Sequence, residues 1–200
     1  HGWWTNEGKK ISKSLGNTID PLEIIKKFGL DQIRYFLLRE ITLGQDGDFS
    51  EKALISRINA DLSNNLGNLV QRTLKLNAKY FENKFPFDLN ENQELEVLEY
   101  GYKLLDEVES NMKLFQINKA LENIWNFISK LNQYIDKTEP WKLFKENKDE
   151  TAIVLSEIIE SIRLLGIILQ PFIPDSSSKI LDTLNIDKKH RGFDSFNKRN

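Results

Sequence analysis

From Ser50 onward, apolar residues recur every three or four positions in long runs, and the runs are divided by prolines. Leu54, Ile58, Leu62, Leu66, Leu69, Val70, Leu74 and Leu76 form one such stripe, closed by Asn83-Lys84-Phe85-Pro86-Phe87-Asp88. A stripe at this period covers one face of an amphipathic helix, so a helix is predicted from Ser50 to about Phe81. The same spacing predicts helices over about Asn92 to Lys113, Gln116 to Thr138 and Lys148 to Gln170. Glu139-Pro140 ends the second of these, Trp141 to Lys145 makes a short turn, and Pro171 stops the third. Pro174 opens a shorter helix through Ile180, Leu181 and Leu184. No segment shows sustained strand alternation. Long helices must bury their stripes against one another, so the expected fold is all-α, an antiparallel helical bundle.

A smaller helical unit precedes the bundle. Asp20-Pro21 supplies a capping side chain and a first-turn proline, Leu22, Ile25 and Phe28 follow at helical spacing, and Gly29 ends the segment. Asp31 is expected to cap a second short helix carrying Ile33, Phe36 and Leu37. Gly44-Gln45-Asp46-Gly47-Asp48 is rich in turn residues. The main boundary is placed there, with a connecting helical subdomain over 1–49 and the bundle over 50–200. The chain opens on His1 and closes on the polar run Lys188 to Asn200, and it reads as a fragment.

Composition removes several classes of function. The absence of cysteine excludes disulfides and thiolate metal sites. The two histidines, His1 and His190, lie too far apart in sequence to suggest zinc-ligand spacing. Ile153 to Leu169 is interrupted by Ser156, Glu157, Glu160, Ser161 and Arg163, so it does not read as a membrane span, and a cytoplasmic protein is expected. A formal net charge of -2 argues against general polyanion binding. Any contact with nucleic acid has to come from a local patch or from specific base contacts.

Three features carry chemistry. Lys9-Lys10-Ile11-Ser12-Lys13-Ser14 sets lysines and hydroxyls between Gly8 and Gly16, which suits an anion and a polyphosphate best. A solvated loop has the same composition. Asn64, Asn68 and Arg72 recur at intervals of four on one slowly spiralling helix face. Asparagine costs a helix roughly 0.5 kcal/mol or more relative to alanine, so several together invite an explanation. Amides and a guanidinium suit base edges, while a merely polar outer face is the alternative. Trp141, directly after Pro140, is either a stacking platform worth about 1–3 kcal/mol per base or a cover for the bundle end. Trp125 lies on an apolar stripe and is expected in the core, whereas Trp3 and Trp4 are expected to belong to a sheet of a catalytic half outside this chain and to be exposed without it. Glu94, Glu96, Glu99, Asp106, Glu107 and Glu109 read as a solvated helix face.

Lys10 to Ser14 resembles the Lys-Met-Ser-Lys-Ser signature of class I aminoacyl-tRNA synthetases, with Ile11 in place of the usual methionine. The flanks His1-Gly2-Trp3-Trp4 and Leu15-Gly16-Asn17-Thr18-Ile19-Asp20-Pro21 are similar too. Leu30 to Glu40, Gly44 to Ser50, Asn68 to Arg72 and Glu139-Pro140-Trp141 resemble the methionyl-tRNA synthetase family in particular, over most of the chain and fading after about Thr183. The resemblance implies an enzyme that joins methionine to tRNA(Met) with ATP and magnesium. Lys10 and Lys13 would be catalytic, and Ile11, Ser12 and Ser14 would complete the ATP-binding loop. It further implies that Asn68, Arg72 and Trp141 contact the anticodon, supported by Asn64. A nucleotide-binding catalytic domain of the same chain would lie upstream, leaving this portion inactive alone and without bound cofactor. The rival readings are a fragment of the isoleucine, valine, leucine or cysteine enzymes, or a helical interaction module that binds no RNA.

Overall fold

The stripe beginning at Leu54 folds as one uninterrupted helical run, but not of one kind. In a computed structural model, which describes residues 2–87, 89 and 95–197, Ser50 caps α3 (Glu51–Arg57) by accepting from the Ala53 amide at 3.3 Å. The run continues as a π-helix over Ile58–Gly67 and returns to α geometry as α4 (Asn68–Phe81). His1, the helix onset expected at Asn92, and Glu94 lie outside the described residues. The rest of the bundle is α5 (Leu98–Lys113), α6 (Ile117–Thr138), α7 (Pro140–Glu146), α8 (Lys148–Ile168) and α9 (Pro174–Thr183). Elements α4, α5, α6, α7 and α9 all pack on α8, which is buried almost throughout from Thr151 to Ile168. The structure bears out the all-α helical assignment.

The polar residues that break the apolar run of α8 are buried with it. Glu157 is 1% exposed and accepts from the Val97 amide at 2.6 Å, the Leu98 amide at 2.9 Å and the Tyr134 hydroxyl at 2.8 Å. Val97 precedes the first residue of α5, whose opening amides have no partner within their own helix. A carboxylate from α8 therefore caps α5 from across the core, where the helix dipole also favours negative charge. Burial, and next the neighbouring Glu157 charge, push the Tyr134 hydroxyl far above its ordinary pKa, so it stays a donor. One turn on, Glu160 and Arg163 form a buried pair at 2.7 Å, and Arg163 also donates to the carbonyls of Ser195 and Phe196. This pins the last described stretch, including the fully buried Phe196, against α8.

Ahead of the bundle, Asp20 caps α1 (Pro21–Phe28), accepting from the Leu22 amide at 2.8 Å. Leu22 itself faces solvent, and Ile24, Ile25 and Phe28 pack instead around Ile33, Phe36, Phe49 and Leu54 in a small separate core. Asp31 does not cap α2 (Leu30–Glu40), which starts on Gly29. Its buried carboxylate turns to the bundle and accepts from the amides of Asp175 and Ser176, at 3.4 and 2.6 Å, in the first turn of α9.

A three-stranded sheet also forms, in a region where sequence spacing indicated only turns. β1 (Trp4–Asn6) pairs antiparallel with β2 (Lys9–Lys10) and parallel with β3 (Gly47–Phe49). Trp4 thus lies on the middle strand of this sheet, and the segment read as a break supplies its third strand. Strands of two or three residues are too short to alternate visibly.

Glu157→Ala should leave two buried amides and the Tyr134 hydroxyl without an acceptor, costing about 3 kcal/mol. For a domain of this size that lowers the melting temperature by about 6–12 °C, measurable by circular dichroism.

Candidate nucleic-acid interface

The π segment decides how the long helix presents its polar face. A π turn holds more residues than an α turn, so a four-residue step that overshoots a full turn in α geometry falls short of one here. The drift from Asn64 to Asn68 is therefore reversed relative to that from Asn68 to Arg72, and the expected slow spiral is cancelled. Asn64 and Asn68 are both exposed and line one open hollow with Ser63, Gly67 and Gln71. Asn65 turns the other way, donating to Ser129 at 3.1 Å and accepting from Asn132 at 2.8 Å, and so fastens the π segment to α6.

Arg72 stands one α turn beyond Asn68. Its guanidinium carbon lies 6.0 Å from the centre of the Trp141 ring, and its Nη2 donates to Asp136 at 2.6 Å. Contact between an arginine and an indole is worth about 0.5–1 kcal/mol at an exposed site. Trp141 is not the free platform that its place after Pro140 suggested. One part packs on the bundle core and the remainder is open, which fixes the ring while leaving surface available. Arg72 and Trp141 thus meet, and Asn68, one turn before Arg72 on the same helix, shares its hollow with Asn64. Trp125 is buried as expected, tilted against the ring of Tyr35 at 4.4 Å. Sequence reasoning missed Asp136, five residues before Trp141, because nothing local marks it as the partner of Arg72.

The lysine run forms a second candidate site. Glu7 and Gly8 both hold positive φ, 50° and 74°, and turn β1 back into β2. This geometry suits the twist of a tight hairpin. Lys10 stands on β2 and Lys13 on a single 3-10 turn over Lys13–Leu15, both exposed and with no carboxylate partner among the described residues. Asn17 holds the loop: its side chain accepts from the Ser12 amide at 2.9 Å and donates to the Lys10 carbonyl at 3.0 Å. The Ser12 and Ser14 hydroxyls share a bond of 2.7 Å, and Ile11 is half-buried. Trp3 is 79% exposed beside this sheet. On the opposite side, Asp48 accepts from the Thr5 hydroxyl and from the Gly8 amide, in that order of effect, and both bonds hold its carboxyl below the usual aspartate range. Two cations and two hydroxyls on a braced loop can neutralise and orient a polyphosphate.

The family described as tRNA synthetases class I (M) matches residues 1–74, and the anticodon binding domain of methionyl tRNA ligase matches residues 89–197. The chain belongs to the methionyl-tRNA synthetase family. Methionine–tRNA ligase of Rickettsia felis is 47% identical over 197 residues, covering 96% of this chain and 38% of that protein. The Fusobacterium nucleatum enzyme of the same name is 44% identical over 191 residues, covering 94% and 30%. Methionyl-tRNA synthetase of Mycobacterium tuberculosis, solved in complex with methionyl-adenylate, superposes with a TM-score of 0.93 at 36% identity, covering all of this chain and 40% of that one. The chain thus spans well under half the length of these synthetases. No helix among the described residues is long and apolar enough to cross a membrane.

The hairpin should loosen in acid at a pH set by Asp48. A carboxyl whose folded pKa is depressed stabilises above its unfolded value and loses that contribution as pH falls through its folded value. The Gly8 amide resonance should therefore shift with a midpoint below the usual aspartate range, and Asp48→Asn should abolish the transition in an NMR titration.

Proposed function

We propose that this chain is the anticodon-reading portion of a cytoplasmic enzyme that joins methionine to tRNA(Met) at the expense of ATP. Residues 1–49 carry the nucleotide end and 50–200 the RNA end, and they work with a catalytic domain outside these residues. The observation that carries the reading is Arg72 set between Trp141 and Asp136, with Asn68 and Asn64 along the same open face. A half-buried indole offers one base a stacking surface, while the guanidinium and two amides are donors and acceptors for base edges.

At the other end, Lys10 and Lys13 meet the triphosphate of ATP. When a carboxylate attacks the α-phosphate, charge moves onto the departing pyrophosphate, and the two ammonium groups neutralise it there. Ser12 and Ser14 keep the loop in shape, and Ile11 packs beneath it. Magnesium would accompany the nucleotide in the full-length enzyme.

The chain should bind a stem-loop bearing the CAU anticodon more tightly than one with a changed anticodon. Trp141→Ala and Arg72→Ala should each weaken that binding by about 1–3 kcal/mol, read by fluorescence anisotropy. Equal affinity for unrelated loops would favour a helical interaction module instead.

A further inference from the structure

Single exposed apolar side chains are ordinary on a protein surface, but a cluster of them is not. Of the ten large apolar side chains that the described residues leave exposed, five stand on neighbouring loops. Trp3 and Leu43 lie beside the sheet, and Met112, Leu114 and Phe115 lie where α5 turns into α6. A run of hydrogen bonds draws these loops together. Asn118, in the first turn of α6, donates to the Thr42 hydroxyl at 3.2 Å. The Thr42 carbonyl accepts from the Gln45 amide at 3.0 Å, and the Gln45 carbonyl accepts from the Gly2 amide at 3.0 Å. The Trp3 carbonyl accepts from the Gly47 amide at 2.9 Å.

The turn between α5 and α6 is unfavourable in two ways. The Gln116 amide returns to the Asn111 carbonyl and the Phe115 amide to the Met112 carbonyl, at 2.9 and 3.0 Å. These bonds close a helix on a left-handed residue, a place usually filled by glycine. Here it is Phe115, at φ 57°, with its side chain 70% exposed. Left-handed backbone disfavours a bulky side chain, and water disfavours an uncovered ring. Neither the helix end nor the bundle core, from which Phe115 is absent, calls for phenylalanine at this position. An apolar partner surface does.

The chain spans well under half the length of the synthetases it matches, so most of such an enzyme lies beyond it. Lys10 and Lys13 are read above as meeting a triphosphate held by that other part. Lys10 pairs with Thr5 in the sheet, so the domain that holds the nucleotide has to stand close to the strand that follows Trp3. We propose that the loops of Trp3 and Leu43 and the α5–α6 turn together seat the catalytic domain. The bundle then touches that domain directly and not through the sheet alone. The proposal rests on the reading of function above and adds a contact surface to it. An aromatic side chain buries about 150–250 Å², so the patch supplies a large share of the roughly 600–1,500 Å² of an interface between domains.

The chain contains no cysteine, so one introduced thiol reports on its own surroundings. Phe115→Cys and Leu114→Cys are made in the 200-residue chain and in the full-length enzyme. Phe85→Cys, at an exposed apolar position after α4, serves as the reference. Alkylation is followed peptide by peptide by mass spectrometry. Both turn positions should react at least about ten-fold more slowly in the full-length enzyme than in the 200-residue chain, with the reference unchanged. Equal rates in the two proteins overturn the proposal. So does slow reaction already present in the 200-residue chain and deepening with its concentration, which identifies a second copy as the occupant. Methionylation of tRNA(Met) by the same full-length preparation separates the two ideas. If it charges tRNA(Met) while both turn positions react freely, the docking alone fails; if it charges none, the reading of function fails and the docking with it.

Discussion

Two hydrophobic cores in this chain meet on a single helix. Tyr35 and Phe36 are neighbours on α2, both fully buried, yet they belong to different interiors. Tyr35 packs tilted against Trp125 in the bundle and donates to Asp61 at 2.7 Å, while Phe36 meets Phe49 edge-on in the small core. Asp31 and Arg34 add four bonds, Asp31 accepting from the amides of Asp175 and Ser176 in the first turn of α9 and Arg34 donating to the carbonyls of Pro171 and Phe172 between α8 and α9. Hydrogen bonds to charged groups contribute about 1.5–3 kcal/mol each, so α2 ties the small core firmly to the bundle. The lysine hairpin is carried on the small core and the proposed RNA face on the bundle.

The proposed RNA face would rely on placement more than on charge. A chain with a net charge of -2 cannot hold a polyanion by bulk attraction. Here the ring of Trp141 is fixed by the bundle and Arg72 is held by Asp136, so little freedom is left to lose on binding. Pre-positioned groups of this kind raise affinity by lowering the cost of ordering. The lysine hairpin follows the same logic, since Asn17 and Asp48 brace the backbone while the ammonium groups project into solvent.

What could be read from the sequence was whatever has a local cause. Pro140, Pro171 and Pro174 end or begin helices through their own rings, and Asp20 caps α1 two residues away, so those boundaries were legible. Asp31 had the right chemistry for a cap, but its partners lie 144 and 145 residues further along. The π geometry of Ile58–Gly67 has no mark in its residue types, and the three strands are shorter than any period. Amides on a helix and a tryptophan after proline drew attention to Asn64, Asn68, Arg72 and Trp141, but only the family resemblance set a base-binding role above a plain polar face. Asp136 is ordinary until the helices around it are in place.

Both buried carboxylates that finish a helix belong to a different helix. Asp31 on α2 serves α9, and Glu157 on α8 serves α5. Neither α9 nor α5 carries its own side-chain cap, and each therefore begins with amides that only the assembled protein can satisfy. As free peptides these two segments would fray from their first turns. Their amino-terminal ends are consequences of docking rather than seeds for it, and they order only when α2 and α8 are already beside them.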